Sequence, residues 1–140
     1  MIRVKRLRPG AKLPFRATPG ATGYDLYACL DADIEVGQEP VRVPTGIAIE
    51  APVGLDVQIR PRSGLAAQGV IAAFGTIDSD YRGELLVTLY ALPYRGPHLV
   101  HNGDRIAQLV ISRIEDVPLQ EVGELAASER AARGHGSTGR

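Results

Sequence analysis

The chain has 140 residues and a mass of 15.0 kDa, enough for a single domain built around one hydrophobic core. Sixteen Lys and Arg residues balance sixteen Asp and Glu residues, so the formal net charge at pH 7 is zero. This balance lacks the basic excess typical of proteins that bind duplex DNA, although a few arginines could still hold a small anion. The 44% hydrophobic content excludes a disordered chain.

The N-terminus and the apolar runs predict neither secretion nor membrane insertion. The first ten residues are charged and contain no apolar core of a signal peptide. No apolar run approaches the roughly 20 residues that span a bilayer. A single cysteine, Cys29, excludes an intrachain disulfide and is predicted to be a small buried hydrophobe. We therefore expect a cytoplasmic protein with no membrane and no nucleic-acid partner.

Short runs that alternate apolar and polar residues predict β-strands along the chain. These runs are Ile2–Val4, Val41–Val43, Ile47–Ile49 and Leu55–Ile59. Two denser apolar runs, Leu85–Leu92 and Ile106–Ile114, predict strands buried on both faces. One short helix is predicted over Ser63–Gln68, with Gly69 ending it. Sixteen glycines and ten prolines separate these pieces, which predicts an all-β sandwich, barrel or jelly roll.

The C-terminal segment has a different composition. Residues 124–133 are rich in Ala, Glu and Arg, and residues 134–140 are rich in glycine. Composition alone favours a frayed terminus. The alternative is an arm that becomes ordered on a ligand, because glycine-rich backbone can donate N–H groups to phosphate.

Two polar segments near strand ends have both a structural and a functional interpretation. Thr18–Leu26 is typical of a glycine turn that leads into a strand, with Asp25 as a local cap. The second segment is Arg60–Leu65, in which Ser63 occupies the predicted helix N-cap position. Either Ser63 only caps the helix, or Arg62, the Ser63 hydroxyl and the Gly64 N–H together bind an anion such as phosphate.

The segment Gly75–Glu84 predicts a hairpin tip between two apolar strands. Within it, Asp78 follows the apolar Ile77 at a strand end, where partial desolvation would suit a general base. A solvated or salt-bridged carboxylate is the alternative interpretation.

The segment Asn102–Leu109 begins with Asn102-Gly103, which predicts a second hairpin turn. The next two residues, Asp104 and Arg105, are predicted to form a surface ion pair. Gln108 lies inside a predicted buried strand, so its side chain must find hydrogen-bond partners, which a ligand or a neighbouring subunit could provide. The three histidines show no spacing typical of a zinc site.

Taken in order, these segments resemble the five motifs of the trimeric dUTPase family, whose members hydrolyse dUTP to dUMP and pyrophosphate. The matching segments are Ala17–Leu26, Pro61–Gly64, Gly75–Glu84, Gly103–Gln108 and Gly136–Gly139. Each motif alone is weak evidence, but five in the right order over nearly the whole chain form a specific signal.

The resemblance implies a jelly-roll (β-clip type) subunit in a homotrimer with active sites at the subunit interfaces. Residues 1–123 would form the β domain, and residues 124–140 would form an arm that closes over a neighbouring subunit's site. The reaction would lower dUTP and supply dUMP for thymidylate synthesis.

The resemblance also implies roles for individual residues. Asp78 would activate the water that attacks the α-phosphorus, and Asp25 would act through water on a Mg²⁺ ion bound by the triphosphate. Tyr81 would pack under the deoxyribose and exclude a 2′-hydroxyl, and the backbone of residues 72–77 would pair with uracil. The phosphate contacts would be Arg62, Ser63, Gly64, Gln108 and, from the arm, Arg130. The other substrate contacts would be Ala72, Gly75, Thr76, Ile77, Leu86, His135, Gly136 and Ser137.

Two features depart from the family pattern. Ala72 stands where the family usually has asparagine, so one polar contact near uracil is missing or is made by backbone or water. In the fifth motif, His135 replaces the aromatic residue that stacks on uracil, and Ala131 and Arg133 replace glycines. Imidazole offers less apolar area than phenyl, so we expect the arm to close less tightly, with Arg133 adding attraction for phosphate.

Two alternatives remain open from the sequence. A dCTP deaminase of the same superfamily shares the fourth motif, although the Tyr81 segment and Arg62-Ser63-Gly64 favour the dUTPase. A non-catalytic nucleotide-binding trimer is the other alternative. The presence of Asp78 together with Arg62 argues against it, because a pure binding protein needs no base at a strand end.

Overall fold

The computed structural model describes residues 1–134, which form ten strands and one short helix. In chain order these are β1 (Arg3–Arg6), β2 (Tyr24–Tyr27), β3 (Ile34–Val36), β4 (Val41–Glu50), β5 (Leu55–Arg60), α1 (Ser63–Ala67), β6 (Val70–Ala72), β7 (Gly75–Ile77), β8 (Glu84–Ala91), β9 (His98–Val100) and β10 (Arg105–Arg113). The predicted all-β class is confirmed. In the described part of the chain, no helix is long and apolar enough to cross a membrane.

The strands form two four-stranded sheets and one two-stranded sheet. The first sheet has the order β1-β4-β8-β6, the second has the order β2-β10-β5-β7, and β3 pairs with β9. Both larger sheets contribute to one core, in which Val43 and Val87 of the first sheet join Leu26 and Val57 of the second. Because each sheet buries one face on this common core, the fold is a sandwich of the jelly-roll type.

Both predicted hairpins are wrong, although both turns exist. β7 pairs with β5, whereas β8 pairs with β4 and β6, so Gly75–Glu84 crosses from one sheet to the other. The Asn102-Gly103 turn is tight, with Gly103 at φ +84°. It joins β9, paired with β3, to β10, paired with β2 and β5. Turn residues specify a local reversal, but distant hydrogen bonds decide which strands pair.

The prediction of burial on both faces is wrong for β8 in the single chain. Leu85, Val87 and Leu89 are buried, whereas Leu86 between them is 37% exposed. β10 comes closer to the prediction, because the neighbours Ile106 and Ala107 are both buried. An apolar run therefore gives the position of a strand, but not whether a second layer covers its outer face.

The helix α1 is one residue shorter than predicted and begins differently. Arg62, in extended conformation, is its N-cap residue, and no side chain of the described residues caps it. The N-cap prediction for Ser63 is therefore wrong, since Ser63 is the first helical residue. The predicted helix end is confirmed, because Gly69 adopts φ +80° and donates its N–H to the Ala66 carbonyl.

Two further sequence expectations can be compared with the fold. Cys29 is buried at 8% exposure, as predicted for a small hydrophobe in the core. Residues 114–134 follow β10 without a helix or strand, and all of them are exposed. The predicted contacts His135, Gly136 and Ser137 lie outside the described residues.

Candidate active site

The central position of β10 in its sheet brings three of the polar segments together. Gln108 pairs with Asp25 of β2 on one side and with Arg60 of β5 on the other. Arg60 is the last residue of β5, so the chain reaches Arg62 immediately beyond this pairing. Three polar segments that are far apart in sequence therefore meet where these strands end, at one side of the second sheet: Thr18–Leu26, Arg60–Leu65 and Asn102–Leu109.

An ion-paired cluster centred on Asp25 forms the middle of this edge. Arg62 donates from Nε to Asp25 Oδ1 at 3.1 Å, and Arg105 donates from Nη1 to Oδ2 at 3.5 Å. Arg62 also donates from Nη1 to the Arg105 carbonyl at 3.3 Å. The Asp25 side chain is only 15% exposed, whereas Arg105 is 53% exposed. Two guanidinium groups thus meet one carboxylate, and the excess positive charge suits an anionic ligand.

We call the space around this cluster the arginine cleft. It has a volume of about 290 Å³ and is lined by Ala17, Ala21, Thr22, Gly23, Asp25, Arg62, Ser63, Gly64, Arg105 and Gln108. The first hydrogen bond of α1 runs from the Ala66 N–H to the Arg62 carbonyl, so the N–H groups of Ser63 and Gly64 precede it. These groups and the arginines form a site that is suitable for phosphate.

Close packing between Gly23 and Gln108 shapes the floor of the arginine cleft. A Cβ atom at Gly23 would lie 2.0 Å from Gln108 Oε1, so any other residue there would require the Gln108 side chain to move. Gln108 donates from Nε2 to the Pro61 carbonyl at 2.9 Å. The predicted need for a hydrogen-bond partner is therefore met, for the amide nitrogen, by the chain itself and not by a ligand or a neighbouring subunit.

A second, smaller space lies where the chain crosses between the sheets, and we call it the tyrosine cleft. It has a volume of about 160 Å³ and is lined by Thr76, Ile77, Asp78, Tyr81, Glu84, Leu85 and Leu86. Tyr81 donates its N–H to the Asp78 carbonyl at 3.1 Å and its hydroxyl to the Glu84 carbonyl at 2.9 Å. Asp78 is exposed in the single chain. The expected partial desolvation of its carboxylate therefore does not come from the packing of this chain.

Some of the predicted site residues lie outside both clefts. Ala72 is buried at 2% exposure, and Gly75 pairs with Ile59 in the second sheet. β6 and β7 belong to different sheets, so residues 72–77 do not form a hairpin, and they join the sheets instead. Arg130 lies in the exposed tail, where its Nε donates to the Arg133 carbonyl at 2.8 Å. The arginine and tyrosine clefts of one chain have no lining residue in common.

Sequence reasoning missed Arg105 as a site residue. The predicted surface pair with Asp104 does not form, because Asp104 Oδ2 instead accepts the His101 N–H at 2.8 Å. The pairing of β10 with β2 is irregular between Arg105 and Ala107, and such a bulge can redirect a side chain. The bulge depends on strand pairing, so the local sequence contains no signal for it.

The described residues offer no protein cage for a metal ion. Among residues 1–134 there is no group of three or more His, Cys, Asp or Glu side chains that could hold one. Both Asp25 oxygens accept hydrogen bonds from arginines, and each retains a lone pair that a metal-bound water could use. The residues thus fit an ion that a triphosphate brings with it and that contacts the protein through water.

Comparison with known proteins agrees with this geometry. The family model described as dUTPase matches residues 10–139. The chain is 47% identical to the deoxyuridine 5'-triphosphate nucleotidohydrolase of Corynebacterium efficiens, over 99% of this chain and 78% of that protein. It is 42% identical to the protein of the same name from Mycobacterium tuberculosis (strain H37Rv), over 99% and 94% of the two chains.

Among solved structures, the dUTPase of Staphylococcus bacteriophage 80alpha with dUPNHPP is similar in fold, with a TM-score of 0.88 and 27% identity. The similarity covers 100% of this chain and 99% of that chain. The family match over nearly the whole length and the two close relatives lead to one conclusion: the chain is a member of the dUTPase family.

Proposed function

We propose that this protein hydrolyses dUTP to dUMP and pyrophosphate, which lowers dUTP and supplies dUMP for thymidylate synthesis. The observation that carries the proposal is the arginine cleft, where Arg62 and Arg105 share the Asp25 carboxylate beside the start of α1. A member of the dUTPase family with such an anion site is suited to a nucleoside triphosphate.

In this proposal the arginine cleft holds the phosphates. Arg62, fixed by Asp25, and the N–H groups of Ser63 and Gly64 donate to phosphate oxygens, while Gln108 lies on the floor of the cleft. Because the Arg62–Asp25 pair is made before the ligand arrives, little reorganisation is needed on binding. Arg130 reaches the γ-phosphate from the tail.

The tyrosine cleft holds the nucleoside and the attacking water. Asp78 accepts a proton from water as the water oxygen bonds to the α-phosphorus, and the bond from that phosphorus to the bridging oxygen breaks to release pyrophosphate. Tyr81 packs under the deoxyribose, where a 2′-hydroxyl would clash. Backbone groups of residues 72–77, together with Leu86, contact uracil. Ala72 contributes backbone only, because its side chain is buried.

Magnesium is part of the proposal as an ion brought by the substrate. When bound, Mg²⁺ draws charge from the phosphate oxygens. Asp25 is the residue of this chain that would meet its water shell, since the carboxylate lines the arginine cleft.

The proposal also includes a homotrimer with shared sites. In this proposal the arginine cleft of one subunit faces the tyrosine cleft of another, and the support is that the two clefts of one chain share no lining residue among residues 1–134. Residues 124–140 form the arm that closes over the site, with His135, Gly136 and Ser137 contacting the substrate. We propose that the trimer acts in the cytoplasm, where it controls the nucleotide pool.

The test is pyrophosphate release in the presence of Mg²⁺ from dUTP, dCTP, dTTP and UTP. We expect release from dUTP to be far faster than from the other three nucleotides, with kcat for dUTP reduced about 1,000-fold or more in Asp78→Asn because that variant lacks the base. The matched control is Asp80→Asn, since Asp80 is another exposed carboxylate two residues further along. Ammonia released from dCTP would favour the deaminase, and dUTP binding without pyrophosphate would favour the non-catalytic trimer.

A further inference from the structure

The proposed function assigns no role to Glu84, the first residue of β8, although its side chain is well anchored. Glu84 Oε1 accepts the Gly46 N–H at 2.7 Å and the Arg8 Nη2 at 2.6 Å. The second oxygen, Oε2, lies 3.5 Å from Arg8 Nη1. The Glu84 side chain is 22% exposed and the Arg8 side chain is 39% exposed, so water reaches the arginine more than the carboxylate of this charge-assisted pair.

The groups that hold Glu84 belong to an irregular part of β4. The β4–β8 register shifts between Pro44↔Leu86 and Ala48↔Glu84, which leaves extra residues of β4 in a bulge. Gly46 lies in this bulge at φ +70°, and a Cβ there would come within 2.9 Å of Cys29 Sγ. Its carbonyl accepts the Leu7 N–H at 2.7 Å. Gly46 is therefore held on both sides and provides a rigid donor to Glu84.

The backbone of Glu84 connects this anchor to the tyrosine cleft. Its carbonyl accepts the Tyr81 hydroxyl at 2.9 Å, and the Tyr81 N–H in turn donates to the Asp78 carbonyl. Tyr81 also folds closely over Gly83, where a Cβ would lie 2.4 Å from the Tyr81 hydroxyl oxygen. A chain of hydrogen bonds thus runs from Asp78 through Tyr81 and Glu84 to the bulge of β4.

We propose that Glu84 and Arg8 are positioning residues that hold the Tyr81 ring and the Asp78 backbone in place by fixing the start of β8 to the bulge of β4. Neither touches the reacting atoms. Loss of the anchor would let Tyr81 shift away from the sugar, and a shifted ring excludes a ribose 2′-hydroxyl less well. This inference rests on the proposed function, because it takes Tyr81 as the group that discriminates dUTP from UTP.

Another Arg–Glu pair in the same sheet provides a matched control. Arg3 of β1 forms an ion pair with Glu50 of β4, and the two residues are also register partners. Glu50 is more exposed, at 40%, and among the described residues its side chain hydrogen-bonds to Arg3 and not to Tyr81, Asp78 or Glu84. Glu50→Gln therefore removes an ion pair of the same chemistry without disturbing the tyrosine cleft.

The experiment measures kcat/KM for dUTP and for UTP in wild type, Glu84→Gln, Arg8→Met, the double variant and Glu50→Gln, at a temperature where each is folded. We expect the UTP-to-dUTP ratio to rise about fivefold or more in each single variant at the Glu84–Arg8 pair. In the double variant the ratio should rise no further than in the single variant with the larger rise, because the two single substitutions break the same ion pair. Glu50→Gln should keep the wild-type ratio. Arg8→Lys replaces Arg8→Met if the latter does not fold.

The ratio separates positioning from a purely structural role. A structural role would lower the thermal midpoint of Glu84→Gln and leave the ratio at the wild-type value, and that result would overturn the inference. An equal rise of the ratio in Glu50→Gln would overturn it too. If wild type releases no pyrophosphate from dUTP, the proposed function itself fails, and the inference fails with it.

Discussion

The arginine cleft and the tyrosine cleft differ in how completely one chain builds them. In the arginine cleft, three adjacent strands of one sheet carry the functional segments, and the side chains are already paired with one another. In the tyrosine cleft, the functional residues lie on a crossing between sheets, and Asp78 is exposed. The first is prepared for its ligand by side-chain ion pairs, whereas the second depends on backbone anchoring at Glu84.

This difference shows that charge and shape can be prepared in separate parts of one site. A phosphate-binding site gains from fixed positive charge, which needs buried partners such as Asp25. A site for a base and a sugar needs a surface that stays open until the ligand covers it. We therefore expect substitutions in the arginine cleft to lower kcat/KM without changing the UTP-to-dUTP ratio, and substitutions that disturb the tyrosine cleft to change that ratio.

Within the arginine cleft, the largest effect is expected from Arg62→Gln, which breaks the prepared ion pair. Asp25 would lose its closer partner, at 3.1 Å, and the phosphates would lose a guanidinium. We expect kcat/KM for dUTP to fall about 100-fold or more, with the UTP-to-dUTP ratio unchanged. The control Arg113→Gln, at the exposed end of β10, should behave like wild type. A changed ratio would contradict the independence of the two clefts.

The next effect is expected from Gly23→Ala, which changes the shape of the arginine cleft without removing a charge. The new methyl group would lie 2.0 Å from Gln108 Oε1 and displace that side chain from the Pro61 carbonyl. We expect about 1–3 kcal/mol of strain and a fall in kcat/KM of about tenfold or more. Gly20→Ala is the control, because a Cβ at Gly20 meets nothing within 4 Å. Equal kinetics for the two variants would refute the role of this close packing.

A smaller effect, and in the opposite direction, is expected from Ala131→Gly in the tail. Ala131 adopts φ +46°, a left-handed conformation that favours glycine. A left-handed residue other than glycine costs about 1–2 kcal/mol. If the closing arm uses this conformation, Ala131→Gly should lower KM for dUTP about two- to fivefold. Ala132→Gly is the control. An unchanged KM in Ala131→Gly would show that the closing arm does not use the left-handed conformation at residue 131.

The smallest effect concerns His98, which lies outside both clefts. Burial, followed by the charge of Arg95, lowers the pKa of His98, and Arg95 Nη2 lies 2.9 Å from His98 Nδ1. A lowered pKa means that the unfolded chain binds the proton more readily, so stability should fall as pH drops below the ordinary value of 6.5. Thermal unfolding from pH 7 to pH 5 should show this fall in wild type and a weaker one in His98→Gln. A steeper fall of stability in the variant would contradict the lowering of the His98 pKa.

Much of the fold could be predicted because its signals are local. Alternation of apolar and polar residues placed β1, β5 and two separate parts of β4 close to their observed positions, and the two denser apolar runs placed β8 and β10 within one residue of their observed bounds. Gly69 marked the end of α1, since it adopts the left-handed conformation there. The ordered motifs indicated the dUTPase family, which the family model and the relatives confirm.

The amino-acid sequence by itself determined the positions of the main strands and turns, because each depends on residues that are neighbours in the chain, and it indicated the family through the order of five short motifs. Only the tertiary structure decided that the turns before β8 and β10 cross between sheets, since strand partners are chosen by distant hydrogen bonds. It also brought Arg105 to Asp25 and Arg8 to Glu84, pairs separated by 80 and 76 residues. No local pattern encodes such contacts, because they exist only once the sheets have packed on their common core.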